Sequence, residues 1–299
     1  MIWFVWRIHR TQVLSSVGVV AALIAVWLVV LWEVSGCQEL RGCDAPVTAF
    51  AAENYVYYGI GVLLLAVILG VFAGGPLFAR EFEERTYAFV ITQRGHHGRW
   101  VLLKLLVSAV PVGAAVTVLG VLAAHAHERA GMPLRLLQQL GYVANGPLLG
   151  AWFLLAFGFA AVAGVIGRKT LLAMVIGAVA VAPAGIAVSQ LVRPVLLLPE
   201  RIVMDITQTD RDTAEYLPVP DNPDRTTIIE SGYLTATGTE LDYAICADPA
   251  CQNEVAESYT DYYHDDDFWT LQLFDIAGYT LLAGTALAIT TQRLNQRRL

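Results

Sequence analysis

The chain has 299 residues, 56% of them hydrophobic and only 15% charged, with a mean hydropathy of +0.56 and a formal net charge of −7. A water-soluble domain carries about a quarter charged residues, so a water-soluble core is excluded and the bilayer is the fitting solvent. Backbone polar groups in a span must be satisfied internally, and apolar runs of roughly 20 residues suit helices, not the ~10-residue alternation of barrel strands.

The N-terminal "MIWFVWRIHR" has aromatics ahead of its cations, and no small-residue cleavage site follows the apolar run, so it does not read as a cleavable signal. Trp3, Phe4 and Trp6 with Arg7, His9 and Arg10 predict either a short interfacial helix or simply the flank of the first span. Six apolar runs follow. They lie near 11–32, 55–78, 101–124, 148–166, 171–192 and 269–291, with Pro111 inside the third and Pro183 inside the fifth. Proline in a membrane helix is tolerated where neighbours re-satisfy the freed carbonyl. Between the third and fourth runs, residues 128–147 are amphipathic, and Leu134, Leu136, Leu137 and Leu140 are expected on the bilayer surface.

Lysine and arginine are retained on the cytoplasmic side. Arg7, Arg10, Arg80, Arg85, Arg94, Arg99, Lys104, Arg168, Lys169, Arg293, Arg297 and Arg298 all fall on one side of a six-span path, which makes both termini cytoplasmic. The acids gather opposite, in the long segment between the fifth and sixth runs. There "RTTIIESGYLTATGTELDYAI" is rich in β-branched and aromatic residues punctuated by glycine, which predicts short strands. The expected fold is an all-α integral membrane protein with six transmembrane helices and a small outer domain carrying strands. Residues 1–192 hold the first five helices, 193–268 the acidic extracytoplasmic domain, and 269–299 the sixth helix with a basic tail.

Cys37 and Cys43 fall in the first outer loop, and Cys246 and Cys251 in the last. All four lie on the oxidising side, where disulfides form. Cys37–Cys43 and Cys246–Cys251 are the short-loop pairings, and four cysteines allow three connectivities. The competing interpretation is two metal sites, whose spacings are unlike those of zinc ribbons.

Motifs for catalysis are lacking. There is no GxxxxGK[ST] phosphate loop, and "GVIGRKT" has the wrong glycine spacing. "HAHE" and "YYHDDD" lack the paired i, i+4 histidines of a metallohydrolase helix, and an acidic run commonly means a solvated face. One charge stands out instead: Asp275, about six residues into the sixth run, with Gln272 one turn above it on the same face. A carboxylate at mid-bilayer costs about 2.5–3.5 kcal/mol. Asp275 therefore either faces a bundle interior, a polar partner or a water-filled path, or it snorkels to the interface. Lys104, one turn inside the third run, is expected to snorkel the other way.

Between the second and third runs lies "LFAREFEERTYAFVITQRGHHGRW", dense in mixed charge. Together with "WRIHR", "GRKTLLAM" and "FWTLQLFD", in that order, it resembles the permease subunits of actinobacterial ATP-binding-cassette exporters of the six-span, second export class. That family shows R-E-x-E-x-x-T after the second span, matched by Arg80, Glu81, Glu83 and Thr86. Its T-Q-x(n)-R-W-x(n)-K-L run is matched by Thr92, Gln93, Arg99, Trp100, Lys104 and Leu105. Its W-x-x-Q-x-x-[ED] opening of the last helix is matched by Trp269, Gln272 and Asp275.

The resemblance implies a cytoplasmic coupling helix over about 79–92 that docks on separate ATPase subunits through Arg80, Glu81, Phe82, Glu83, Glu84, Arg85 and Thr86. Physically, Glu81 and Arg85 are spaced for an i, i+4 pair. Phe82, Tyr87 and Phe89 offer anchors, and Arg80, Glu83 and Glu84 can pair with a partner. The resemblance further implies a translocation path that includes Gln272 and Asp275, a second permease subunit, identical or related, and no cofactor in this chain, with ATP and Mg held by the ATPase. The expected location is the plasma membrane of a bacterium, in contact with lipid and with no role for nucleic acid. The alternative is a membrane-anchored sensor or scaffold whose acidic ectodomain binds a partner or cation.

Overall fold

The computed structural model describes residues 2–39, 55–84, 97–129, 139–144, 146–189, 198–206, 226–242, 255–264 and 267–296. Six helices among them are long and apolar enough to cross a membrane. They are α1 (Ile2–Glu39), α2 (Tyr55–Glu83), α3 (His97–Arg129), α5 (Leu148–Gly167), α6 (Thr170–Ala187) and α7 (Phe268–Gln296), with a short α4 (Gln139–Ala144) between the third and fourth. The N-terminal aromatic segment is not a separate element: it forms the first turns of α1, where Arg7 lies over the Trp3 ring at 5.4 Å. Helices α3 and α6 run through Pro111 and Pro183 as expected, and α2 runs through Pro76.

The centre of the bundle is α5, buried on nearly every face. Its neighbours approach at glycines. A methyl group on Gly70 would stand 2.6 Å from the Phe153 carbonyl oxygen, and one on Gly74 would stand 2.3 Å from that of Phe157. Only glycine fits at such a crossing, and small residues one turn apart let helix backbones touch in lipid, where no hydrophobic force drives association. This Gly-x3-Gly pair was not picked out in the sequence, although its spacing was visible there. On the other flank α1 leans against α3, through a cluster that includes Val13, Val20, Leu105, Val112 and Val116. The outward faces stay greasy: Leu64, Ile68, Leu171, Val175, Val179 and Leu281 are all exposed. Apolar exposure on that scale marks a surface for lipid or a protein partner.

The segment 128–147, expected to lie on the bilayer surface, is described only in part. Residues 130–138, including Leu134, Leu136 and Leu137, lie outside the described residues, as does the side chain of Leu140. Tyr142 and Ala144 in α4 are buried in the bundle.

Between α6 and α7 stands one antiparallel sheet of β1 (Glu200–Asp205), β2 (Thr226–Thr235), β3 (Glu240–Asp242) and β4 (Val255–His264), in the order β1-β4-β2-β3. The glycine-punctuated run supplies β2 and β3, which turn at Gly238 with φ +79°. Strands β1 and β4 were missed. Tyr262, Tyr263 and His264 belong to β4, where Tyr262 and Tyr263 are buried, so the first half of "YYHDDD" is sheet rather than a solvated run. Tyr263 packs with Leu271 and Tyr142, which seats the sheet on one end of the bundle. The bundle thus has a sheet end and, opposite it, a basic end that carries Arg80, Lys104 and Arg168.

Candidate functional site

At the basic end the mixed-charge segment begins inside α2. Residues Arg80–Glu83 are the last turn of that helix, and Glu84 continues it through a backbone bond to the Arg80 carbonyl at 2.9 Å. Residues 85–96, with Arg85 and Thr86, lie outside the described residues. The separate helix expected over about 79–92 is thus, as far as it is described, the end of the second span.

Glu81 meets a residue of another helix, while Arg85, its expected i, i+4 partner, lies outside the described residues. Lys104 Nζ sits 2.6 Å from Glu81 Oε1 and 5.0 Å from the ring centroids of both Phe78 and Trp100. Lys104 is 4% exposed. It does not snorkel into water but crosses from α3 to α2 inside the bundle. A buried ammonium is costly unless paired and ringed by favourable electrostatics, and removing one partner typically costs about 3–5 kcal/mol. His9, half-buried on α1, lies in the field of both Lys104 and Arg80. Gln12, also on α1, donates to the Phe72 carbonyl of α2. Helix α1 thus packs beside both α2 and α3.

Glu83 is likewise engaged within the chain. Its Oε1 accepts the Thr170 backbone N–H at 2.9 Å and its Oε2 the Thr170 hydroxyl at 2.7 Å. The first N–H groups of a helix have no internal partner, and Lys169 at the N-cap of α6 supplies none from its side chain. A carboxylate from α2 does that work and also meets the positive end of the α6 dipole. Just before, Arg168 closes α5 in the left-handed region, φ 54°, and lies over the Phe82 ring at 5.9 Å. Arg80 and Glu84 pair with each other at 2.7 Å and remain open to water, 72% and 52% exposed. Such a surface pair adds little stability.

At the sheet end, Gln272 and Asp275 are brought together as their spacing implied, and both are buried, at 0% and 1% exposure. Tyr142 donates its hydroxyl to Asp275 Oδ2 at 2.8 Å, while Gln272 Nε2 donates to the Tyr142 carbonyl at 3.1 Å. Asp275 therefore faces the bundle and not the interface. Gly146 makes room for this arrangement: its φ is +74°, and a methyl there would stand 2.3 Å from Gln272 Oε1. One turn deeper on α7, Tyr279 donates to the Gly185 carbonyl at 3.4 Å and packs on Trp152, ring centroids 4.9 Å apart. Tyr142 was missed in the sequence, where nothing but the bundle itself links it to residue 275.

In the sheet, Arg201 spans three strands. It holds Asp261 by two bonds of 2.7 and 2.8 Å, reaches Glu240 at 2.6 Å, and lies 4.2 Å over the Tyr259 ring. The two carboxylates hold its guanidinium still further above its ordinary pKa. Among the described residues no group of three His, Cys, Asp or Glu is placed to hold a metal ion. Cys37 lies in the last turns of α1 with its side chain outside the description; Cys43, Cys246 and Cys251 lie outside the described residues altogether. No disulfide is present among the described residues.

A family model described as ABC-2 membrane transporter related matches residues 11–193. The match takes in α1 from residue 11 and all of α2 through α6, and with them Arg80–Thr86, Lys104, Tyr142 and Thr170. No curated protein and no solved structure matches the chain.

Proposed function

The chain belongs to the ABC-2 membrane transporter related family, and on that premise we propose that it is the permease subunit of an ATP-driven exporter in a bacterial plasma membrane. The basic end and both termini face the cytoplasm, following the lysine and arginine distribution. The ATPase is a separate subunit that holds ATP and Mg; a second copy of this chain, or a related permease, completes the translocation path. Closure of the ATPase pair on ATP moves the ends of the spans and switches the paired permeases from inward- to outward-open.

The observation that carries this proposal is the last turn of α2. It presents Arg80 and Glu84 to water while the same turn is held to α3 and α6 by side-chain bonds. A docking element needs that combination of wet surface and firm anchorage. Gln272 and Asp275, the buried polar pair of the last helix, are the candidates for the path. Cys37–Cys43 and Cys246–Cys251 are the pairings assigned to the oxidising side.

Co-expression with an ATPase subunit encoded alongside tests the proposal. Co-purification in equal amounts, with ATP turnover by the complex, is the expected result. A chain that purifies alone and leaves ATP turnover unchanged on mixing contradicts it, and leaves the membrane-anchored sensor or scaffold.

A further inference from the structure

We infer that Glu81 and Glu83 are not contacts to the ATPase but positioning residues, which fix the last turn of α2 to α3 and to α6 so that all three helices follow a push on Arg80 and Glu84. The inference rests on the permease proposal above.

Helix geometry divides the turn into faces. Residues advance by roughly 100° each around an α-helix. Taking Arg80 as the origin, Glu84 lies at about 40°, Glu81 at about 100°, Phe82 at about 200° and Glu83 at about 300°. The contacts follow that order. Arg80 and Glu84 form the exposed stripe. Phe82, on the far side, packs against the core of the bundle. The two acids flank that apolar face, one on each side, and each meets a different helix. Glu81 turns to Lys104 on α3, and Glu83 turns to Thr170 on α6. Glu81 is partly buried; Glu83 is exposed beside Arg80, but both of its carboxylate oxygens are engaged by Thr170.

The partners are built to hold. Lys104 lies against two rings that are themselves buried, Phe78 at 0% and Trp100 at 3%, packed edge to face at 6.4 Å. An ammonium so enclosed cannot leave its carboxylate for water without opening the α2–α3 contact. Thr170 offers Glu83 two donors at once, the first free N–H of α6 and the hydroxyl beside it, so the carboxylate replaces the cap that α6 lacks. Helix ends otherwise fray. Here the end that meets the partner is clamped on both sides, and a displacement applied to it passes into α3 and α6 through bonds of ordinary length. Close-packed interiors transmit such strain rather than absorb it.

The test uses the full chain with its ATPase in lipid nanodiscs. Trp269→Cys at the sheet end reports the switch, through the change in its labelling rate by an impermeant maleimide when ATP and vanadate are added; the chain with Trp269 intact sets the background. Glu81→Gln, Lys104→Met, Glu83→Gln and Thr170→Val should each retain ATPase co-purification within twofold of the parent. Each should cut the nucleotide-driven change in labelling at least fivefold, and the exchanged pair Glu81→Lys with Lys104→Glu should restore it. The melting temperature of every variant is followed, and the exchanged pair decides wherever a single variant fails to fold. Loss of the ATPase from the single variants would make the acids interface residues and overturn the inference. So would a parent-like labelling change in all four, or an exchanged pair that folds without recovery. A parent chain that binds no ATPase contradicts the permease proposal itself and is seen before any variant is made.

Discussion

Tyr142 donates its hydroxyl to the buried carboxylate of Asp275 at 2.8 Å, across 133 residues of sequence. The bond joins a six-residue helix at the sheet end to the last span, and the same tyrosine accepts from Gln272 through its backbone carbonyl. Removing the hydroxyl while keeping the ring isolates this bond. Tyr142→Phe is expected to destabilise the folded chain by about 1–3 kcal/mol, the cost of stripping a buried polar group of a partner. Thermal unfolding in detergent checks it; a melting curve that overlays the parent's removes the bond from the account.

Close helix contact predicts a second contrast. Gly74→Ala places a methyl 2.3 Å from the Phe157 carbonyl oxygen, whereas Gly61 has no atom within 4 Å of the same position. Overpacking of that kind costs about 1–3 kcal/mol, and a backbone obstacle cannot rotate away. Gly61→Ala should be neutral or gain about 0.5–1 kcal/mol, because alanine suits a helix better than glycine. Equal melting temperatures for the two variants would refute the α2–α5 crossing.

Arg201 predicts the behaviour of the sheet. Arg201→Met keeps an aliphatic stem over Tyr259 but leaves Asp261, only 7% exposed, without its two donors. Hydrogen exchange in β1 and β4 should accelerate by an amount equivalent to about 1.5–3 kcal/mol, the range for a bond to a charged group. The spans should exchange as before. Unchanged exchange in both strands would show that the arginine is decoration.

Topology gives a fourth prediction. Thr237→Cys, in the turn between β2 and β3, should react with an impermeant thiol reagent added to intact cells, while Arg293→Cys should react only after permeabilisation. Both residues are exposed, so accessibility of the side chain is not in question. Labelling of Arg293→Cys in intact cells would invert the assigned orientation.

How much of this was legible in the sequence depends on how far each signal travels. The spans were, because some 20 apolar residues must be satisfied within one helix and need no distant partner; the fourth run, 148–166, differs from α5 by a single residue. The juxtaposition of Gln272 with Asp275 was also readable, since three residues on a helix share a face. Which way Asp275 turned was not, because Tyr142 reaches it only through the assembled bundle. The same holds for Glu81. Local spacing nominated Arg85, which lies outside the described residues; Lys104, 23 residues on in another helix, was not readable as a partner, because burial and two aromatic rings favour that pair only once α2 and α3 have packed. Strand β4 was obscured by its own composition: alternating tyrosines and acids read as a polar run until β1 and β2 pair with it on both sides.

The central claim is that this chain couples to an ATPase through the wet stripe at the end of α2, and one measurement addresses it most directly. The ATPase retained by the affinity-purified chain is quantified for the parent and for Arg80→Glu, Glu84→Arg and the exchanged pair carrying both. Arg80 and Glu84 pair in water, so folding and insertion should be unaffected, whereas a reversed charge at an interface sets repulsion where there was attraction. The account predicts equal amounts of ATPase and parent chain, at least tenfold less ATPase on each single reversal, and no loss of permease. Full retention of the ATPase by both single reversals, or no ATPase on the parent, would contradict it.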